Sequence, residues 1–222
     1  MSTLLDCVEV GPADAKASVV WMHGLGANGH DFEPIVPHLQ CPHVRFVFPH
    51  APALPVTING GFVMPAWYDI LTLDHVEGRE SEEHIRASAA HIEALMERER
   101  SRGVEPSRMV IAGFSQGAAM SLFVGSRHPH PLAGIMALSG YHVVRSKFEA
   151  ERQDANRNTE LFFGHGTMDP MVQPDWGREA KADFEGWTTA PIHWHEYPMG
   201  HEVCMDEIQA IGAWLRRRLP NS

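Results

Sequence analysis

The residues best suited to chemistry in this chain are a serine, an aspartate and a histidine that occur in that order. Residues 113–117 read GFSQG. A serine in G-x-S-x-G sits on a sharp, strained turn from a strand into a helix. The turn lifts the hydroxyl above the sheet and places it at the positive end of the helix. A side chain at Gly113 or Gly117 would collide with adjacent strands, which accounts for the two glycines. Ser115 follows the apolar run MVIA and opens onto AAMSLFVG, a helical pattern, so both flanks fit. Five such residues also make an ordinary glycine-rich turn, and the motif alone decides little.

A serine hydroxyl is a weak nucleophile and needs a general base. The chain has 15 histidines, so the presence of one is uninformative, whereas order and setting are informative. A nucleophile on this kind of turn is followed by its acid and then its base, each on a loop after a later strand. Asp169 lies in TMDPMV, just past the run LFFGHG, and His201 lies in PMGH, just past IHWHEY. Singly, Asp169 reads as an Asx-turn and His201 as a residue at a helix start. Jointly, their order and strand-end positions predict a catalytic set of Ser115, Asp169 and His201. Acyl transfer also needs donors for the developing oxyanion. One is the backbone N–H of Gln116, after the serine. The other is assigned to Leu25, whose flanking Gly24 and Gly26 let an amide point inward, although HGLG also reads as a plain turn. Because Gln116 acts there through its backbone, replacing its side chain is expected to matter far less than replacing Ser115.

These residues must be held by regular elements. Short apolar runs recur at 18–23, 44–49, 108–114, 134–140, 161–166 and 192–197. Most are continuous rather than alternating, as in strands covered on both faces. Helical patterns fall at 82–102, with Ile85, Ala89, Ile92 and Met96 on one stripe, at 116–127, and at 202–219, with Cys204, Ile208, Ile211 and Leu215 on one face. Strand–helix alternation predicts an α/β fold: a mostly parallel twisted sheet with helices on both faces and the chemistry at the strands' C-terminal ends. At 222 residues, with no repeat and no linker, a single domain over 1–222 is expected.

Other function classes find little support. A net charge of −10 repels phosphate backbones and anionic leaflets, so no nucleic acid partner is expected. No P-loop is present, and nucleotide binding finds little support. His193 and His195 would share a strand face, but no third ligand follows at a suitable spacing, so no metal is predicted and the triad needs no cofactor. Cys7, Cys41 and Cys204 are too few and irregular for a disulfide framework. No signal peptide and no bilayer-spanning apolar stretch are read, making the cytoplasm the expected location. For the substrate pocket, Met168, Met171 and Val172 flank the site residues. Met64, Trp67 and Tyr68 belong to an apolar loop at 58–72, too apolar for an idle surface loop and suited to line an acyl group, or else simply packed over the sheet edge.

The stretches WMHGLGANGHDF, FPHAPALPVTINGGFVMPAWYDI, IAGFSQGAAMSLF, FFGHGTMDPMV and YPMGHEV together resemble the phospholipase/carboxylesterase family, which includes bacterial carboxylesterases and eukaryotic acyl-protein thioesterases. The likeness runs from about residue 18 to about 215. It implies an α/β-hydrolase without a large cap domain, with Ser115 as nucleophile, Asp169 as orienting acid, His201 as base, and Leu25 and Gln116 as oxyanion donors. The 58–72 loop matches the family's flap over the acyl groove. The implied substrate is a small-molecule or lipid-like acyl ester, with carboxylesterase activity first and thioesterase or lysophospholipase activity as the alternative. A homodimer is among the states the resemblance allows. A different enzyme on the same scaffold, such as a perhydrolase or a dedicated deacetylase, and a non-catalytic binding protein are the two rivals.

Overall fold

The computed structural model describes residues 4–221. The chain runs β1 (Cys7–Val10), β2 (Ser18–Met22), α1 (Val36–Leu39), β3 (Arg45–Pro49), β4 (Ala53–Val56), β5 (Phe62–Pro65), α2 (Glu82–Ser101), β6 (Met109–Phe114), α3 (Gln116–Arg127), β7 (Gly134–Leu138), α4 (Phe148–Glu151), β8 (Leu161–Gly166), α5 (Pro174–Glu185), β9 (Ile192–Tyr197) and α6 (Met205–Arg218). Seven strands form one sheet in the order β1-β3-β2-β6-β7-β8-β9. Every pairing in it is parallel except that of β1 with β3. This is the expected α/β architecture, with all six predicted strands in place.

The continuous apolar runs are explained by cover on both faces. On one side Ile85 and Ile92 of α2, the whole of α3, and Phe184 of α5 pack with Ile111, Ile135 and Phe163 of the sheet. On the other, Leu39 of α1 and Ile211, Trp214 and Leu215 of α6 pack with Val19, Phe46 and Phe162. Alternate side chains of each central strand feed the two layers, so every residue of β2, β3, β7 and β8 is buried. The helix predicted at 82–102 is capped by the Ser81 hydroxyl, which accepts from His84 N–H, and gives way to Gly103 at φ +89. The last helix starts at Met205, not at 202. Residues 201 and 202 form a bend and Cys204 is extended, which leaves Cys204 as the N-cap rather than part of the helical face.

A polar residue is hidden in this scaffold. Glu207 in the first turn of α6 is fully buried against Gly164 of β8, and neither carboxyl oxygen has a hydrogen-bond partner among the described residues. Burial pushes its pKa up to about 8 from an ordinary 4.5. The folded chain therefore holds a proton that the unfolded chain releases near pH 4.5. The contribution of this group is fully present below that value and is lost as pH rises through about 8. Glu207→Gln should flatten this dependence. Urea unfolding at pH 4.5 and pH 8.5 should show the variant gaining on the order of several kcal/mol over wild type at the higher pH only. Parallel profiles for the two proteins would rule the account out.

Candidate active site

Ser115 closes β6 and opens α3 with φ 56 and ψ −118, a conformation rare outside glycine. The strain is tolerated because neighbours fix it: Ser115 N–H donates to Leu138 O at 2.9 Å, and Ala119 N–H donates back to Ser115 O at 3.1 Å. The start of α3 also lies tightly on β2. A Cβ on Gly117 would meet Met22 C at 2.6 Å and His23 O at 2.7 Å. The reason for Gly113 differs from the expected clash with a strand. A Cβ there would strike α3 itself, at Gly117 and Ala118.

Three loops at the C-terminal ends of β6, β8 and β9 bring Ser115, Asp169 and His201 together. His201 Nε2 lies 2.9 Å from Ser115 Oγ, and His201 Nδ1 lies 2.7 Å from Asp169 Oδ2. A carboxylate only accepts, so Nδ1–H donates to Asp169 and Nε2 is left to accept from the serine hydroxyl. Asp169 is itself held in place. Its Oδ1 accepts from the amides of Met171 and Val172, both at 2.9 Å. Burial raises its carboxyl, but the bonds from His201, Val172 and Met171 outweigh that and hold it below the usual carboxylate range. Buried His165 meets Val172 O at 2.9 Å and braces the same turn from β8. The sequence reading did not single out His165; its place one turn before Asp169 in FFGHGTMDP was the available signal.

The HGLG loop is fixed by a residue that sequence reasoning also passed over. His23 accepts from Ala51 N–H at Nε2 (3.1 Å), so its Nδ1–H donates to Gly24 O at 2.7 Å. Burial lowers its pKa, which keeps the ring neutral in this role. Trp67 Nε1–H holds the loop from below through His23 O at 2.8 Å. Leu25 N–H then makes no hydrogen bond within the described residues, and Gln116 N–H is the first amide of α3, which has no acceptor inside its own helix. Both residues border the cavity above Ser115. The Gln116 side chain has a task as well. It is 2% exposed, accepts from Trp67 N–H at 3.0 Å and donates to Tyr68 O at 2.9 Å. The side chain thus ties Trp67 and Tyr68 to the elbow, a packing role beside the backbone role expected of Gln116.

A cavity of about 290 Å³ opens over Ser115 and His201. Met171 and Val172 lie on its wall, together with Leu25, Ile58, Ile70 and Leu73. Four of the residues expected on that wall are elsewhere. Trp67 and Tyr68 are fully buried beneath it, because the chain dives into the core after β5 and Asp69 pins the descent through Thr57 N–H and Thr57 Oγ1 at 2.6 and 2.7 Å. Met64 instead packs beside Gly26, and Met168 points to solvent, 64% exposed. The 58–72 segment is therefore not one irregular wall. Its first part belongs to the β4–β5 hairpin, whose Phe62 and Val63 are exposed, residues 66–68 are core, and Ile58 and Ile70 are the members that reach the cavity wall. Tyr141 and Trp176, neither predicted, complete the cavity.

Among the described residues no group of three metal-binding side chains occurs, and no helix is long and apolar enough to cross a membrane. His193 is taken up by Glu160 at 3.0 Å, and His195 stacks on Phe162. The sheet order, the strained serine at its centre and the loop positions of Asp169 and His201 define an α/β-hydrolase. A sequence model of the phospholipase/carboxylesterase family matches residues 6–219. The chain belongs to that family, and it is a hydrolase. Acyl-protein thioesterase 1 of Neurospora crassa is 37% identical over 222 residues, spanning 94% of this chain and 90% of that protein. The crystal structure of Arabidopsis thaliana SOBER1 superposes with a TM-score of 0.83 at 30% identity, covering 92% of this chain and all of the other. That of Zea mays acyl-protein thioesterase 2 gives 0.82 at 25% identity, covering 96% and 99%.

Proposed function

We propose that this chain is a serine esterase that cleaves carboxylic esters, thioesters among them, through an acyl-enzyme on Ser115. Ser115 Oγ attacks the acyl carbonyl while His201 Nε2 takes its proton. The oxyanion is received by Leu25 and Gln116 N–H, whose directions are fixed before substrate arrives. The protonated imidazole is stabilised by Asp169 and then protonates the departing alcohol or thiol. Water, deprotonated by the same nitrogen, attacks the acyl-enzyme and releases the acid. The observation that carries this reading is the continuous line of hydrogen bonds from Ser115 Oγ through both nitrogens of His201 to Asp169, at 2.9 and 2.7 Å.

The thioester reading is favoured by relatives at 33–37% identity that bear the name acyl-protein thioesterase. The same machinery serves both bonds, so the two activities are expected side by side. The test is chemical labelling. A fluorophosphonate should modify the protein once, on the peptide containing Ser115, and abolish hydrolysis of a matched oxoester and thioester in parallel. A protein that hydrolyses esters while Ser115 stays unlabelled would overturn the assignment. Loss of one activity without the other would overturn the shared site.

A further inference from the structure

The methionines of this chain are not spread evenly. Met22, Met96, Met109, Met120, Met136 and Met199 are buried in the core, and Met64 is half-buried. Met168, Met171 and Met205 are exposed, and two of these three flank Asp169 in the stretch TMDPM. Met171 is 68% exposed and also stands on the wall of the cavity over Ser115 and His201. Its thioether is therefore at the rim, open both to solvent and to whatever enters the cavity. Met168 and Met205 are exposed without being part of that wall.

The backbone beneath Met171 is held while its side chain is free of the core. The N–H groups of Met171 and Val172 both donate to Asp169 Oδ1 at 2.9 Å, and His165 meets Val172 O at 2.9 Å. The Val172 side chain is buried. A change at the Met171 sulfur can thus alter the wall without unfolding the turn that positions the acid. The chemistry open to a thioether is oxidation. The thioether is flexible and apolar, whereas its sulfoxide is polar and holds water. The same wall carries Ile58, Ile70, Leu73 and Val172, all apolar. An acyl chain packed on that wall must strip the water from a sulfoxide, and it offers no hydrogen bond in exchange.

We propose that Met171 is an oxidant-sensitive modification site that sets which acyl chains the cavity accepts, with a peroxide as the reagent. The sulfur lone pair attacks one peroxide oxygen. An S–O bond forms and the O–O bond breaks. The sulfur is oxidised by two electrons, and hydrogen peroxide is reduced to water as the proton on the transferred oxygen passes to the departing hydroxide. The oxidised enzyme loses long apolar acyl groups and keeps short ones, because an acetyl group draws little on the wall. Reduction of the sulfoxide returns the original preference. This inference rests on the acyl-enzyme chemistry at Ser115.

The test treats the full chain with hydrogen peroxide and follows two readouts. Peptide mass spectrometry should show Met168, Met171 and Met205 gaining one oxygen each before the buried methionines do. In parallel, the ratio of kcat/KM for 4-nitrophenyl octanoate to that for 4-nitrophenyl acetate should fall by about 10-fold, the scale for desolvating one polar group without compensation. The ratio is insensitive to how much of a sample is folded. Methionine sulfoxide reductase should restore it. Dithiothreitol alone, which reverses cysteine disulfides and sulfenic acids but not a sulfoxide, should not. Met171→Leu, a swap of similar volume, should hold its own untreated ratio through the same treatment, while Met168→Leu should lose its ratio as wild type does. Oxidation of Met171 no faster than that of the buried methionines would overturn the site. So would an unchanged ratio once Met171 is fully oxidised, an equal fall in Met171→Leu, or recovery with dithiothreitol alone. In each of these cases acetate is still hydrolysed through Ser115, whereas failure of the esterase assignment would show as an untreated protein that cleaves neither ester.

Discussion

Ser115→Ala is expected to lower kcat toward an activated ester by about 10⁶-fold, the scale on which removal of a triad serine acts elsewhere. The change deletes the atom that forms the acyl bond. His201 and the oxyanion amides remain, so a residual acceleration of about 10³- to 10⁴-fold over water is expected from them and from binding. The fold should survive. The Ser115 side chain does not cap α3, and its one hydrogen bond is to His201, so stability should change by about 1 kcal/mol. Stopped-flow measurement separates the two consequences. Wild type should release a burst of leaving group equal to the enzyme, followed by slower turnover, and the variant should show no burst. A variant that is folded by circular dichroism and still gives a wild-type burst would remove Ser115 from the chemistry.

The outcome bears on what the sequence could and could not disclose. Five of the strands, β2, β3, β6, β7 and β8, were legible because a strand buried on both faces must be apolar throughout, a signal that is local to the strand, whereas edge strand β9 is only half-buried. Edge strand β1 was not legible: CVEV is short and half-buried, and its partner β3 lies some 40 residues on. Helix α5 was passed over although Trp176, Ala180 and Phe184 recur every four residues, because Pro174 and Gly177 break the look of a helix. The three site residues were legible for a topological reason. In a parallel sheet the loops after successive strands must emerge at one edge, so order along the chain stands in for distance. The cavity wall has no such rule. Whether Trp67 faces the cavity or the core is decided by Gln116, 49 residues away, and by Asp69 holding Thr57. Arg79 shows the same limit from the other side. Within the polar stretch VEGRESEE it reads as one more surface charge, and only the rings of Tyr141 and Trp176 bring it inside.

The second large effect is expected from Asp169→Asn, and its cause is more specific than loss of charge. Asp169 Oδ1 accepts from two amides, Met171 and Val172, which an oxygen can satisfy and an NH₂ group cannot. In the variant the side-chain carbonyl must therefore stay on that side, and the NH₂ must face His201 Nδ1. A donor there makes Nδ1 an acceptor and moves the ring proton to Nε2. The nitrogen at 2.9 Å from Ser115 Oγ then holds a proton when it should take one. The expected loss in kcat is about 10⁴-fold, with the structure otherwise preserved. The tautomer is directly observable: nitrogen NMR of labelled His201 should show protonated Nδ1 in wild type and protonated Nε2 in the variant. Asp169→Ala supplies the control, since it removes the negative charge without presenting a donor to Nδ1. If the asparagine variant kept activity within tenfold of wild type, or showed wild-type tautomers while inactive, then Asp169 would not set the protonation of His201. The role of the two amides at Oδ1 would then be structural alone.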